Sequence, residues 1–148
     1  MTKVLVSDPI ADKGIALLEE AEFDVIYNPN PSGDELQSLV RGINAWVVRS
    51  GTNITSEYLK EARKLQVIGR AGVGVDNIDI EEATNLGIIV MNIPDGNTIS
   101  AAEHTVAMMM AVSRNIHLGY LGLLSGKWNR SSLVGSELRG KHLGVVGL

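Results

Sequence analysis

The chain has 148 residues, enough for one ordinary domain with a sizeable core, and 45% of them are hydrophobic against 20% charged. A formal net charge of −4 excludes a general nucleic-acid surface, and the lack of cysteine excludes disulfides, thiolate metal sites and a cysteine nucleophile together. No apolar run reaches the ~18 residues of a membrane span, and the start MTKVLVSD lacks the apolar core and cleavage site of a signal peptide, so the expectation is a cytoplasmic protein.

Along the chain, short β-branched runs alternate with helical patterns. Strands are expected at Lys3 to Ser7, Phe23 to Tyr27, Ala45 to Arg49, Gln66 to Arg70 and Ile88 to Asn92, and helices between them at Lys13 to Ala21, Asp34 to Arg41, Ser56 to Arg63 and Ile80 to Leu86. This alternation implies parallel strands joined by right-handed crossovers with helices on both faces, a doubly wound α/β domain over residues 1–95. In TSEYLKEARKL, Thr55 or Ser56 can cap a helix. In DIEEATNLG, Asp79 caps, the two glutamates suit the positive helix end, and Gly87 suits a left-handed stop.

After NIPDGN the texture changes. Ser100 to Arg114, SAAEHTVAMMMAVSR, read as a longer helix with little polar face, expected to be buried nearly all round against a second domain or a second subunit. GYLGLLSGKWNR and a loop around SSLVGSELRG follow, and Lys141 to Val146 read as a last buried strand. Residues 96–148 thus look like the opening of another domain.

In open parallel sheets ligands bind beyond the carboxyl ends of the strands. Those ends carry Asp8, VVRSGT, IGRAGVGVDN and MNIPDGN. Arg49 and Arg70 close consecutive strands, and two guanidinium forks on one rim suit a small anion, the competing reading being a surface carboxylate for each. Gly72 and Gly74 allow a tight turn that aims N–H groups into a nest able to hold a carboxylate at Val73 and Gly74, although an ordinary strand-to-helix turn explains the same pattern. It is no dinucleotide fingerprint, because the third glycine position holds Asn77. Asn97 can cap the long helix or offer its amide to a ligand. His104, His117 and His142 are not acid–base candidates, since none has a suitable setting, and no metal-ligand spacing is present.

Five ordered stretches, VVRSGT, LQVIGRAGVGVDNIDIEEATNLGIIVMNIPDGN, SAAEHTVAMMMAVSRN, GKW and LRGKHLGVVGL, together resemble the D-isomer-specific 2-hydroxyacid dehydrogenases. The resemblance covers essentially the whole chain. It implies a flavodoxin-like substrate-binding domain followed by the opening helix and first strand of a Rossmann-type NAD-binding domain. The implied activity is NAD-dependent oxidation of 3-phospho-D-glycerate at C2, the first step of serine synthesis. Arg49 and Arg70 would contact the phosphate side of this phosphorylated 2-hydroxy acid, with Asn97 nearby, and the backbone of Val73 and Gly74 would hold its carboxylate. Val73 and Ala101 would line the nicotinamide end of the cofactor pocket, and Gly147 would open the glycine-rich turn. The helix Ser100 to Arg114 would form much of a homodimer interface. The family's pyrophosphate loop, ribose-binding acid and catalytic arginine, glutamate and histidine would all follow Leu148. The resemblance therefore implies a substrate grip without hydride transfer in these residues, and weak or no NAD binding.

Three other readings compete. Another enzyme of the family could act on glycerate, glyoxylate or a further 2-hydroxy acid. A non-enzymatic co-repressor that senses the nicotinamide cofactor shares the fold. A phospho-receiver shares the five-stranded pattern but needs an acidic pocket and a lysine where this chain has Arg49-Ser50 and Asn92-Ile93-Pro94, so that reading falls on charge.

Overall fold

The computed structural model describes residues 1–147. Two compact units are present, Met1–Asn97 and the segment from Thr98 onward. In the first, five short strands form one all-parallel sheet: β1 (Lys3–Val6), β2 (Asp24–Tyr27), β3 (Ala45–Val48), β4 (Val67–Arg70) and β5 (Ile89–Met91). Their spatial order is β2-β1-β3-β4-β5, so the winding direction reverses between β1 and β3. Every crossover carries a helix: α1 (Asp12–Glu20), α2 (Gly33–Val40), α3 (Ser56–Glu61) and α4 (Ile80–Asn85). Parallel pairing needs such crossovers, and the helices cover both faces.

The core follows from that covering. Val4, Leu5 and Val6 of the inner strand are all buried, as are Trp46, Val48 and Ile68, and Leu36, Val40, Leu59, Ala62, Leu65 and Ala83 close over them. β1 is therefore buried without alternation while β3 alternates buried and half-buried positions, so β-branched composition is a steadier signal of these strands than period. Each strand is one or two residues shorter than expected. Ser7, Arg49, Gln66 and Asn92 lie outside the strands, where the chain is already turning toward or away from the sheet.

Local chemistry sets the helix starts. Ser32 and Glu35 make a reciprocal capping box on α2, and the Asp79 carboxylate accepts from the Glu82 N–H on α4. Gly87 follows α4 with φ +70, the left-handed stop that its sequence suggests. Thr55 stands at the N-cap of α3 but its side chain makes no cap hydrogen bond, so the expected hydroxyl cap is not formed. That helix ends at Glu61, two residues before the expected Arg63, because Ala62 turns away at ψ 57.

The second unit holds α5 (Thr98–Ser113), α6 (Ile116–Leu124) and a 3-10 turn at Ser131–Leu133. Three expectations change here. First, α5 begins two residues before Ser100, and within this chain none of its residues is buried, the expected burial being against a second domain or a second subunit. Second, α6 lies where no helix was expected; its Leu-rich sequence has no polar stripe to set a period, and Gly119 and Gly122 lower its helix propensity. Third, Lys141 to Val146 form no strand. A strand exists through pairing, and this run has no sheet neighbour among the described residues.

Candidate functional site

The sheet register brings two cations to one rim. Val48 of β3 pairs with Arg70 of β4, so Arg49, the residue after the end of β3, stands one step beyond Arg70 on the neighbouring chain segment. A cavity of about 400 Å³ opens beside them, lined by Arg49, Ser50, Arg70, Ala71, Gly72, Ile93, Gly96 and Asn97. A second cavity of about 400 Å³, near Asn30, Thr52 and Tyr58, has no charged side chain on its wall. A third, of about 440 Å³, gathers Arg41, Lys60 and Arg63, but Glu61 stands among them and pairs with Arg41. The Arg49 and Arg70 cavity has no carboxylate on its wall.

Neither arginine is neutralised. The ion pairs among the described residues are Lys3–Asp24, Arg41–Glu61 and Lys60–Glu82, so the competing reading of a surface carboxylate for each arginine is not realised. The Arg49 guanidinium donates from Nη1 to the Pro9 carbonyl at 3.2 Å. The Nε of Arg70 is buried and has no hydrogen-bond partner. A buried donor left open is costly, and an anion in the cavity is a natural acceptor for it. Gly72 makes room for this side chain: a Cβ there would overlap Nη1 of Arg70 and stand 3.0 Å from its Cζ.

The turn after β4 behaves as a partly spent nest. The Ala71 N–H donates to Val48 and the Gly72 N–H to Arg70, each at 2.8 Å, while Asn92 donates to the Val73 carbonyl at 2.6 Å. Among the described residues, the N–H groups of Val73 and Gly74 have no protein acceptor. Two adjacent open donors on a tethered turn can hold a carboxylate. Val73 is 37% exposed and presents an apolar side chain beside them. The structure thus gathers Arg49, Arg70 and Asn97 on one cavity wall and places Val73 and Gly74 directly after Gly72 on the same turn. Ala101, in the first turn of α5, and Gly147, at φ +84, both lie in the second unit. Leu148, the residue after Gly147 in the expected glycine-rich turn, is outside the described residues.

The sequence marks Asp8 and Asn77 only by position, yet both hold the loop behind the cavity wall. Asp8 is 1% exposed. Its Oδ2 accepts from the backbone N–H groups of Arg49 (2.6 Å), Gly51 (3.1 Å) and Thr52 (3.2 Å), and its Oδ1 from the Thr52 hydroxyl (2.7 Å). Burial by itself raises the Asp8 pKa, but the Thr52 hydroxyl and the three N–H donors together outweigh it and hold the carboxyl below its ordinary range. Donor counting orders the rest of the network: Trp46 Nε1 donates to Ser7 Oγ, Ser7 to Thr52, and Thr52 to Asp8. From the other side, Asn77 Nδ2 donates to the carbonyls of Arg49 (2.8 Å) and Thr52 (2.7 Å). An acid that ends an otherwise apolar buried strand, immediately before a proline, was the available signal for Asp8. Asn77 had none beyond lying in the turn.

Comparisons with known proteins agree with this architecture. The profile of the family described as D-isomer specific 2-hydroxyacid dehydrogenase, catalytic domain, matches residues 4–134. D-3-phosphoglycerate dehydrogenase of Methanocaldococcus jannaschii is 47% identical over 148 residues, which are 100% of this chain and 28% of that protein. The chain thus spans little more than a quarter of that relative. Among solved structures, the TT0316 protein of Thermus thermophilus matches with a TM-score of 0.85 at 29% identity, over 94% of this chain and 46% of that one. The NAD+-bound 3-phosphoglycerate dehydrogenase of Entamoeba histolytica matches with a TM-score of 0.69 at 31% identity, over 76% of this chain and 39% of that one.

Proposed function

Given that the chain belongs to the D-isomer specific 2-hydroxyacid dehydrogenase family, we propose that it supplies the substrate grip of an NAD-dependent oxidoreductase acting at C2 of 3-phospho-D-glycerate. The observation that carries this reading is the pair of unneutralised arginines, one with an open buried donor, on the wall of a single cavity. Arg49 and Arg70 bind the phosphate group, Asn97 offers its amide beside it, and the free N–H groups of Val73 and Gly74 take the carboxylate. This arrangement fixes the substrate at both ends and so orients the carbon between them.

NAD, when bound, supplies the hydride chemistry. The described residues fit only part of it: in the first unit exposed Val73 offers an apolar side chain, and in the second Ala101 is a small residue at the start of α5. No histidine sits in the substrate cavity to move a proton at the C2 oxygen. In this reading the 148-residue chain binds the substrate anion, binds NAD weakly or not at all, and does not transfer hydride. Names of relatives support the substrate class, since both D-3-phosphoglycerate dehydrogenase matches act on a phosphorylated hydroxy acid by name. The exposed apolar residues of α5, among them Val106, Met108, Met110 and Val112, support a homodimer through this helix.

Calorimetric titration of the chain with 3-phosphoglycerate and with glycerate tests the reading. The phosphorylated ligand is expected to bind at least about tenfold more tightly, and Arg49→Ala or Arg70→Ala to erase that preference. Equal affinities would favour an unphosphorylated 2-hydroxy acid instead. Turnover of NADH with phosphohydroxypyruvate by the chain alone would overturn the division between grip and hydride transfer.

A further inference from the structure

The loop Arg49 to Thr52 is held from two sides by side chains that do not face the cavity. Asp8 accepts from three of its N–H groups, and Asn77 donates to two of its carbonyls. Arg49 is held a third time, because its Nη1 donates to the carbonyl of Pro9, the residue after Asp8. The dipeptide Asp8-Pro9 thus grips one arginine at both its backbone and its guanidinium. A Cβ at Gly51 would stand 2.8 Å from Asp8 Oδ1, so the loop approaches the carboxylate as closely as a glycine allows. On the opposite side the same clamp reaches the segment that follows the turn after β4, the strand ending in Arg70: the Ile54 N–H donates to Asn77 and the Asp79 N–H to Ile54, forming a bridge between Ile54 and Ile78.

From this geometry we infer that Asp8 and Asn77 are positioning residues, which set where Arg49 stands relative to Arg70 and thereby the affinity of the cavity for a phosphate group. The inference rests on the reading that this cavity takes the anionic end of the substrate. Most of the arrangement is backbone held by side chain, and backbone held at five points cannot drift as a surface loop does. Neither residue touches the ligand in this scheme. Each acts through the loop.

The sign of one effect separates positioning from simple charge. Asp8 is a buried negative charge bonded to the backbone of an anion-binding arginine. Removing that charge alone would strengthen phosphate binding. Removing the clamp would weaken it. Binding of inorganic phosphate and of 3-phosphoglycerate to the chain is therefore measured for Asp8→Asn and Asn77→Ala, with Ile88→Val as a mildly destabilised core variant away from the loop. Amide hydrogen exchange of Gly51 and Thr52 is followed in the same proteins.

The expected result is a loss of about fivefold to tenfold in affinity for both clamp variants, the size of one displaced charge-assisted contact, with faster exchange at Gly51 and Thr52. The Ile88→Val variant keeps its affinity. Affinity unchanged or increased in both clamp variants while the two amides lose protection would overturn the inference, because the loop would then be free and the arginine still in place. Loss of affinity in Ile88→Val to the same degree would overturn it too, by reducing the effect to stability. Should the unaltered chain bind neither ligand while Gly51 and Thr52 are protected, the reading of the cavity fails, and the positioning role falls with it by a different readout.

Discussion

Arg70 shows how much a single residue's environment determines. Its guanidinium lies over Gly72 with Nε buried and open, so Gly72→Ala forces the far end of a flexible side chain aside without requiring the backbone to move. The expected outcome is a loss of about fivefold or more in 3-phosphoglycerate affinity, with a stability change within about 1 kcal/mol, checked by titration and thermal unfolding. Asp8 gives a pH dependence. Its folded pKa lies below the unfolded value of about 3.9, so the stability it contributes is fully present above that value and is lost as pH falls through the folded pKa. Acid unfolding of Asp8→Asn should therefore be flatter below about pH 4 than that of the unaltered chain, although the variant is less stable at neutral pH. Parallel acid curves would show that another carboxylate governs this window. At this scale the sequence made the arginines legible, since charge at the end of an apolar strand stands out. It left Asp8 and Asn77 as bare positions, because their roles consist of contacts 41 to 44 and 25 to 28 residues away.

Elements were readable where their signals are local. The cap at Asp79 arises within four consecutive residues, and the helix it starts is present; the capping box of Ser32 and Glu35 is as local, a signal the sequence carries but the expectation for α2 did not use. Asp79→Ala should cost about 1 kcal/mol, measured by denaturant unfolding, because the Glu82 N–H loses its acceptor. An unchanged midpoint would mean that water replaces the carboxylate without loss. Where the deciding information is not local, reading failed. The apolar run of α6 carries no period to separate helix from buried strand. Lys141 to Val146 has strand composition, but pairing decides a strand, and pairing is not written in six residues.

At the scale of the molecule, strand-and-helix alternation was enough to anticipate a parallel doubly wound sheet, because crossover length and handedness leave few alternatives. The second unit follows no such rule. Ile99, Val106, Val112, Leu121, Leu124 and Trp128 are each more than half exposed, a large apolar surface for a segment of this length. We expect the chain to self-associate, with sedimentation shifting from monomer toward dimer as concentration rises and Met110→Glu reversing the shift; a concentration-independent monomer would remove the proposed homodimer. The winding reversal has a last consequence. Sheets of this order ordinarily receive their ligand in the crevice between β1 and β3. Here the donors of that crevice, the N–H groups of Arg49, Gly51 and Thr52, already hold the protein's own carboxylate from Asp8. The chain carries a tethered ligand in the seat its fold provides, and the proposed substrate cavity, with its two arginines, lies one strand further along.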